Sequence, residues 1–281
     1  MNTSFDALGD QPGAQPSAQT GPQSATQQPP LLELSGVTRT FGTGAKATHA
    51  LSGVDLRITK GKSLGIVGES GAGKSTILKL LMGLDAPTMG AVRFRGELLG
   101  WSGRAQMREF RSEVQIVFQD PRSSLNPRMT VAQIITEPLR SLKIEGDHAA
   151  RVAEVLDWVG LASTDQKKYP AQFSGGQRQR IAIARALAPS PQVLVADEPV
   201  SALDVSVRGQ IMDLLAKLKQ ELGMTLVMVS HDMAIVGQLC EEVLVLKQGK
   251  VTEAGPTLKV FSDPQSAYTR QLLNAVPSLE G

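Results

Sequence analysis

Residues 65–76 read GIVGESGAGKST, and this stretch restricts the possible folds more than any other in the chain. Gly68, Gly73, Lys74 and Ser75 fit the pattern G-x-x-x-x-G-K-[ST], a glycine-rich loop between a strand and a helix. The flanks agree: SLGIV before it reads as a buried strand and TILKLLMGL after it as a helix. Glycines let backbone N–H groups converge on a phosphate, and the helix N-terminus adds its dipole. Lys74 supplies a point charge that reaches the β- and γ-phosphates, and the Ser75 hydroxyl can ligate Mg²⁺. Gly68, Glu69, Ser70, Gly71, Ala72, Gly73, Lys74, Ser75 and Thr76 are therefore the expected nucleotide-binding residues, for ATP or GTP.

A hydrolytic site needs a second half, an apolar strand ending in an acidic residue, and VLVADEP at residues 193–199 supplies it. Asp197 is placed to hold the Mg²⁺ shell, and Glu198 can act as general base toward a water attacking the γ-phosphate. Around these motifs, strand-like runs (LLELSGVTRTF, LSGVDLRITKGKSLGIVGES, QVLVAD, MTLVMVSHD) alternate with helical patterns. The helices show at Val152, Val155, Leu156 and Val159, and at Ile211, Leu214, Leu215, Leu218 and Leu222. The alternation predicts an α/β core with a mainly parallel sheet. Ligands of such folds gather at the carboxyl ends of strands, where Gly68, Asp197 and His231 fall.

The net charge of +2 is too small to indicate a nucleic-acid partner or a polybasic membrane anchor. The single cysteine, Cys240, excludes an internal disulfide and reads as a small apolar filler. No apolar run approaches the ~18 residues of a membrane span, and MNTSFDALGD lacks a basic start followed by an apolar stretch, so a cytosolic setting is expected. Residues 1–30, rich in Gln, Pro, Ser, Ala and Gly, are expected to form a disordered tail.

Other stretches narrow the family. FSGGQRQRIAIARAL, residues 173–187, resembles the signature sequence of ATP-binding cassette (ABC) ATPases. SALD at 201–204 resembles the family's D-loop, Gln119 in VFQDP its Q-loop glutamine, and His231 in VMVSHD its switch histidine. The resemblance implies a P-loop ABC cassette over residues 31–259: a RecA-like core, an antiparallel β subdomain and a helical subdomain at about 120–175. It implies ATP with Mg²⁺, and two cassettes paired head to tail. Ser174, Gly175, Gly176 and Gln177 of one then close over the γ-phosphate held by Lys74 of the other, with Asp204 crossing the interface. The bottom-up counterpart is that SGG opening an apolar-periodic helix is a second anion-binding helix N-terminus. By the same resemblance Phe41 stacks on adenine, Gln119 touches Mg²⁺ and the attacking water, and His231 contacts the γ-phosphate. His49 and His148 match no motif and read as ordinary surface or loop residues.

VQIVFQDPRSSLNPRMTVAQIITEPL, residues 114–139, is similar to the ATPases of the dipeptide, oligopeptide and nickel importer group. The run 260–281 resembles that group's terminal motif through Asp263, Pro264, Tyr268, Thr269, Leu272, Leu273 and Pro277, although QSAYT replaces the usual HPYT. The resemblance implies an ATPase peripheral to the cytoplasmic face of the cell membrane. Its partners would be two transmembrane permeases, a second cassette (a paralogue or the same chain) and, indirectly, an extracytoplasmic solute-binding protein. The loop with Arg122, Asn126, Pro127 and Arg128 would sense the γ-phosphate and signal to a permease helix. Residues 77–192 contain no sustained heptads, which speaks against a DNA-repair ATPase, and no N-K-x-D motif supports a GTPase switch. A soluble ABC ATPase of a metabolic complex, of the carbon–phosphorus lyase type, stays open as the alternative.

Overall fold

The computed structural model describes residues 29–275. The expected tail lies almost wholly outside them, as does Pro277 of the C-terminal motif. The chain runs β1 (Leu32–Phe41), β2 (Thr48–Ile58), β3 (Leu64–Val67), α1 (Lys74–Leu81), β4 (Met89–Phe94), β5 (Glu97–Leu98), α2 (Arg104–Glu113) and β6 (Val114–Val117). A helical stretch follows, with α3 (Pro121–Ser124), α4 (Val131–Ser141), α5 (His148–Trp158) and α6 (Gly175–Leu187). Alternation then resumes through β7 (Val193–Asp197), α7 (Val205–Leu222), β8 (Thr225–Ser230), α8 (Met233–Leu239), β9 (Glu242–Lys247) and β10 (Lys250–Pro256). The described residues end in α9 (Thr257–Ser262) and α10 (Ala267–Asn274).

Strands β2-β1-β4-β5 form an antiparallel sheet, and β10-β9-β3-β8-β7-β6 form a second sheet that is parallel except for β10 on β9. Side chains of a strand alternate between faces, and a parallel sheet covered on both sides shows it as two interleaved apolar sets. Val67, Leu194, Ala196, Leu226, Met228, Val243 and Val245 join one core with residues of α4 to α8. Ile66, Val193, Val195, Val227, Val229, Leu244 and Leu246 join the other core, with α1 and the antiparallel sheet. This two-sided burial is why these strands read as unbroken apolar runs. In β1 and β2, buried residues are interspersed with partly buried or exposed ones, as one covered face requires.

Helix α1 departs from its sequence expectation at both ends. It starts at Lys74, directly after Gly73, whose φ of 110° turns the loop into the helix. It stops at Leu81, before the expected Leu84, because Gly83 (φ 61°) closes it. The N–H of Gly83 donates to Leu80 at 3.1 Å and that of Leu84 to Lys79 at 2.9 Å, a Schellman cap.

One contact fixes the sheet beneath the phosphate loop. A Cβ on Gly65 would lie 2.2 Å from Cγ1 of Val236 in α8, so the helix rests directly on the β3 backbone. Gly65→Ala is expected to lower unfolding free energy by about 1–3 kcal/mol through overpacking. Combining it with Val236→Ala, which removes the colliding methyl, should cost less than the sum of the two single changes. Denaturant titrations of the three variants check both statements, and strict additivity would mean that the contact is relieved elsewhere.

Candidate active site

The parallel strands place the motif residues side by side. Across β9, β3, β8, β7 and β6 the segments leaving the carboxyl ends carry Gln248 and Gly249, the phosphate loop, His231, Glu198 and Gln119. Together with Thr48, His49 and Ala50 of β2 they line a cleft of about 960 Å³. Of the expected nucleotide-binding residues, Glu69, Ser70, Gly71, Gly73, Lys74, Ser75 and Thr76 face it, while Gly68 and Ala72 do not.

Gly68 is pressed against its neighbour strand, since an added Cβ would lie 2.2 Å from the carbonyl oxygen of Leu246. The N–H of Gly249 donates to Ala72 at 2.8 Å and fastens the middle of the loop to the β9–β10 turn. Lys74 is 9% exposed, and its Nζ donates to the carbonyls of Gly68 and, at 2.9 Å, of Glu69. Burial holds the Lys74 pKa below its ordinary value, against the pull of Glu198, Asp197 and Glu69. The lysine thus sits poorly solvated, satisfied by two carbonyls of its own loop.

Glu198 follows β7 with φ 43°, a left-handed conformation that costs an L residue about 1–3 kcal/mol. Its N–H donates to Val229 at 2.9 Å, and its carbonyl accepts from Ser201 N (3.2 Å) and Ser201 Oγ (3.0 Å). These bonds hold the turn that sends the carboxylate into the cleft. There Gln119 Nε2 donates to Oε2 at 3.0 Å and His231 Nδ1 to Oε1 at 3.0 Å. A carboxylate only accepts, so His231 Nδ1 carries the proton in this bond. Gln119 also donates to Ser201 Oγ at 3.2 Å. Asp197 lies at the end of β7, and burial, followed by the Glu198 charge, raises its pKa while Lys74 lowers it.

The signature residues lie elsewhere. Ser174, Gly175, Gly176 and Gln177 do not line the cleft. Ser174 caps α6, accepting from Gln177 N at 3.3 Å, and Gln177 Oε1 accepts from Ser174 N at 3.0 Å. Gly176 has a packing role besides, for its Cβ would lie 2.5 Å from Val207 of α7. Asp204 is exposed at the start of α7 and its side chain makes no capping bond. Phe41, 40% exposed, does not itself line the cleft; it pairs with Thr48, which does, and carries the Arg39 guanidinium 4.6 Å from its ring centroid.

His49, exposed as expected, lines the cleft as well, with Nδ1 2.9 Å from Thr40 Oγ1. Thr48, Ala50, Gln248 and Gly249 line it too. They match no motif, and only the closure of β2 and of the β9–β10 turn over the loop brings them in. His148 opens α5, with Nε2 2.7 Å from the Ile144 carbonyl, away from the cleft. Cys240 is a buried filler, its pKa pushed up to about 12 by burial and then by Glu241. Asn126 makes a turn, its Oδ1 accepting from Arg128 N at 3.0 Å.

Residues 51–201 match the family model described as ABC transporter. The oligopeptide transport ATP-binding protein OppF of Lactococcus lactis subsp. lactis is 43% identical over 233 residues, 82% of this chain and 73% of that protein. The oligopeptide transport ATP-binding protein OppD of Mycobacterium tuberculosis is 48% identical over 230 residues, 82% of this chain. The chain spans only 38% of that relative's length. Among solved structures, the dimeric post-hydrolysis state of the ATP-binding cassette MJ0796 bound to ADP and Pi superposes with a TM-score of 0.72 at 34% identity, covering 80% of this chain and 98% of that one. The fold is that of the ABC cassette, and the chain belongs to the ABC transporter family.

Proposed function

We propose that the chain is the ATP-binding, ATP-hydrolysing subunit of an importer that takes up peptides, or a related solute such as nickel, across the cytoplasmic membrane. The observation that carries the hydrolytic part is the meeting of Gln119 and His231 on the two oxygens of Glu198, in the same cleft as the Lys74 loop. The oligopeptide-transport names of the relatives support the importer part and favour it over a soluble metabolic complex.

ATP lays its β- and γ-phosphates on the loop, and Lys74 turns from its carbonyls to the phosphate oxygens. Adenine stacks on the face of Phe41 that Arg39 leaves free. Glu198 accepts the proton of the attacking water, Gln119 orients that water, and His231 Nε2 faces the γ-phosphate. Mg²⁺ would be held by Ser75, Asp197 and the Gln119 oxygen. Among the described residues no group of three or more His, Cys, Asp or Glu forms a metal cage. That fits an ion bound through one or two carboxylates plus substrate phosphates. The raised pKa of Asp197 fits too, because a buried carboxylate beside Glu198 calls for a cation. When bound, the ion neutralises charge on the β- and γ-phosphate oxygens.

The exposed cap at Ser174 and the free Asp204 need a second surface. A second cassette, a paralogue or another copy, would bring Ser174, Gly175, Gly176 and Gln177 over the γ-phosphate; the similar cassette MJ0796 is itself solved as a dimer. In this reading residues 31–259 form the ATPase unit. Residues 120–175 form the helical arm facing two transmembrane permeases, and an extracytoplasmic binding protein delivers the solute. Arg185 of α6 donates to the Ser124 carbonyl at 2.6 Å, a link from the signature helix to the Arg122–Arg128 loop. Among the described residues no helix is long and apolar enough to cross a membrane, which suits a subunit bound at the cytoplasmic face. The small net charge gives no reason to invoke nucleic acid.

Glu198→Gln is expected to lower ATP turnover by about 10²–10⁴-fold, the range for loss of a general base, with ATP binding and ATP-driven pairing retained. Turnover near the parent rate in a phosphate-release assay would remove Glu198 as the base. Asp197→Asn separates stability from function. A pKa raised above 3.8 means that the native state holds a proton which the unfolded chain releases, so stability falls as pH rises from 3.8 through the raised value. The variant should therefore melt higher than the parent at neutral pH, with the gain vanishing below the ordinary value of 3.8. Its Mg²⁺-dependent ATP affinity should fall about tenfold or more, for loss of a charged ligand. Melting curves and nucleotide titrations check the two signs.

A further inference from the structure

We infer that Tyr268, in the C-terminal motif, is a positioning residue for the phosphate loop. The inference rests on that loop binding ATP, as proposed above. Tyr268 is 5% exposed, lies in the core on α10 and does not line the cleft. Its hydroxyl nevertheless reaches the active-site loop and accepts a hydrogen bond from the N–H of Glu69 at 3.1 Å, across 199 residues of sequence.

The place of that bond gives it meaning. The N–H of Glu69 and the carbonyl of Gly68 belong to one planar peptide group, so fixing one end fixes the direction of the other. The Gly68 carbonyl is an acceptor of Lys74 Nζ. One peptide plane is therefore held at its N–H end by Tyr268 and at its carbonyl end by the catalytic-loop lysine. When Lys74 moves to phosphate, the carbonyl end loses that donor, and the Tyr268 bond remains to keep the first turn of the loop in place.

The tyrosine is itself anchored to the strands that build the site. Lys247, the last residue of β9, sits 4.3 Å from the centroid of the tyrosine ring. Glu253 of β10 accepts from the N–H groups of Gln265 (2.8 Å) and Ser266 (3.1 Å), and Ser266 Oγ accepts from Tyr268 N at 3.2 Å. The hydroxyl thus arrives on a braced helix start, and a phenylalanine would reproduce everything except the bond to Glu69. The Tyr-Thr pair that survives the QSAYT departure contains the group that does this work.

The test is Tyr268→Phe in the full chain, read by amide hydrogen exchange, MgATP titration and melting temperature. The inference predicts faster exchange at the Glu69 amide without nucleotide. It also predicts a rise in the MgATP Kd of about 2- to 10-fold, the range for one neutral hydrogen bond, with a melting temperature within a few degrees of the parent. A parent-like Kd would overturn it, and a lower melting temperature with unchanged Kd would reduce Tyr268 to an anchor for α10. A parent that binds no MgATP would instead defeat the ATP reading, and the Glu69 exchange rate would then decide the positioning role by itself.

Discussion

A Cβ atom on Gly68 would lie 2.2 Å from the Leu246 carbonyl oxygen, one on Gly73 would lie 2.8 Å from the Ala50 carbonyl, and one on Gly249 would lie 2.5 Å from that same carbonyl. Three separate backbones, those of the phosphate loop, the β9–β10 turn and β2, touch with no side chain between them. Such contact leaves the loop little freedom to collapse before any ligand arrives. The parallel sheet beneath supplies the rest, because its carboxyl ends present the lysine loop, two carboxylates, a glutamine and a histidine along one edge.

Charge is distributed over that edge in a state of tension. Burial disfavours the charged forms of both Lys74 and Asp197, and their mutual attraction opposes it. Lys74 meets its needs with two loop carbonyls, and Glu198 with Gln119 and His231. These are holding arrangements, which a triphosphate with its cation can replace by stronger charge-assisted contacts. The left-handed turn at Glu198 has a similar character, since the Val229 carbonyl and Ser201 hold a carboxylate where an unconstrained chain would not put it.

Much of this was legible in the sequence because it is local. The strands before Gly68 and through Asp197 and Ser230 are buried on both faces and so read as apolar runs. The phosphate loop, the strand-end carboxylates and the capped α6 each lie within a dozen or so consecutive residues. What stayed hidden depends on which strands become neighbours. The antiparallel sheet brings Thr48 and His49 to the cleft wall, though periodicity in β2 says only that one face is buried. The bond from Tyr268 to Glu69 spans 199 residues of sequence and leaves no local trace. The end of α1 is hidden for a different reason: Leu84 continues the apolar pattern, yet it is 61% exposed, because the Gly83 cap turns the chain away first.

The central claim is that Lys74 exchanges its own loop carbonyls for the phosphates of a bound nucleotide. Calorimetric titration of MgATP into the parent and into Lys74→Ala tests it most directly. Loss of charge-assisted bonds to phosphate should weaken affinity about tenfold or more. Equal affinity in the two proteins would contradict the account, because the cleft would then hold its ligand without the residue around which the loop is folded.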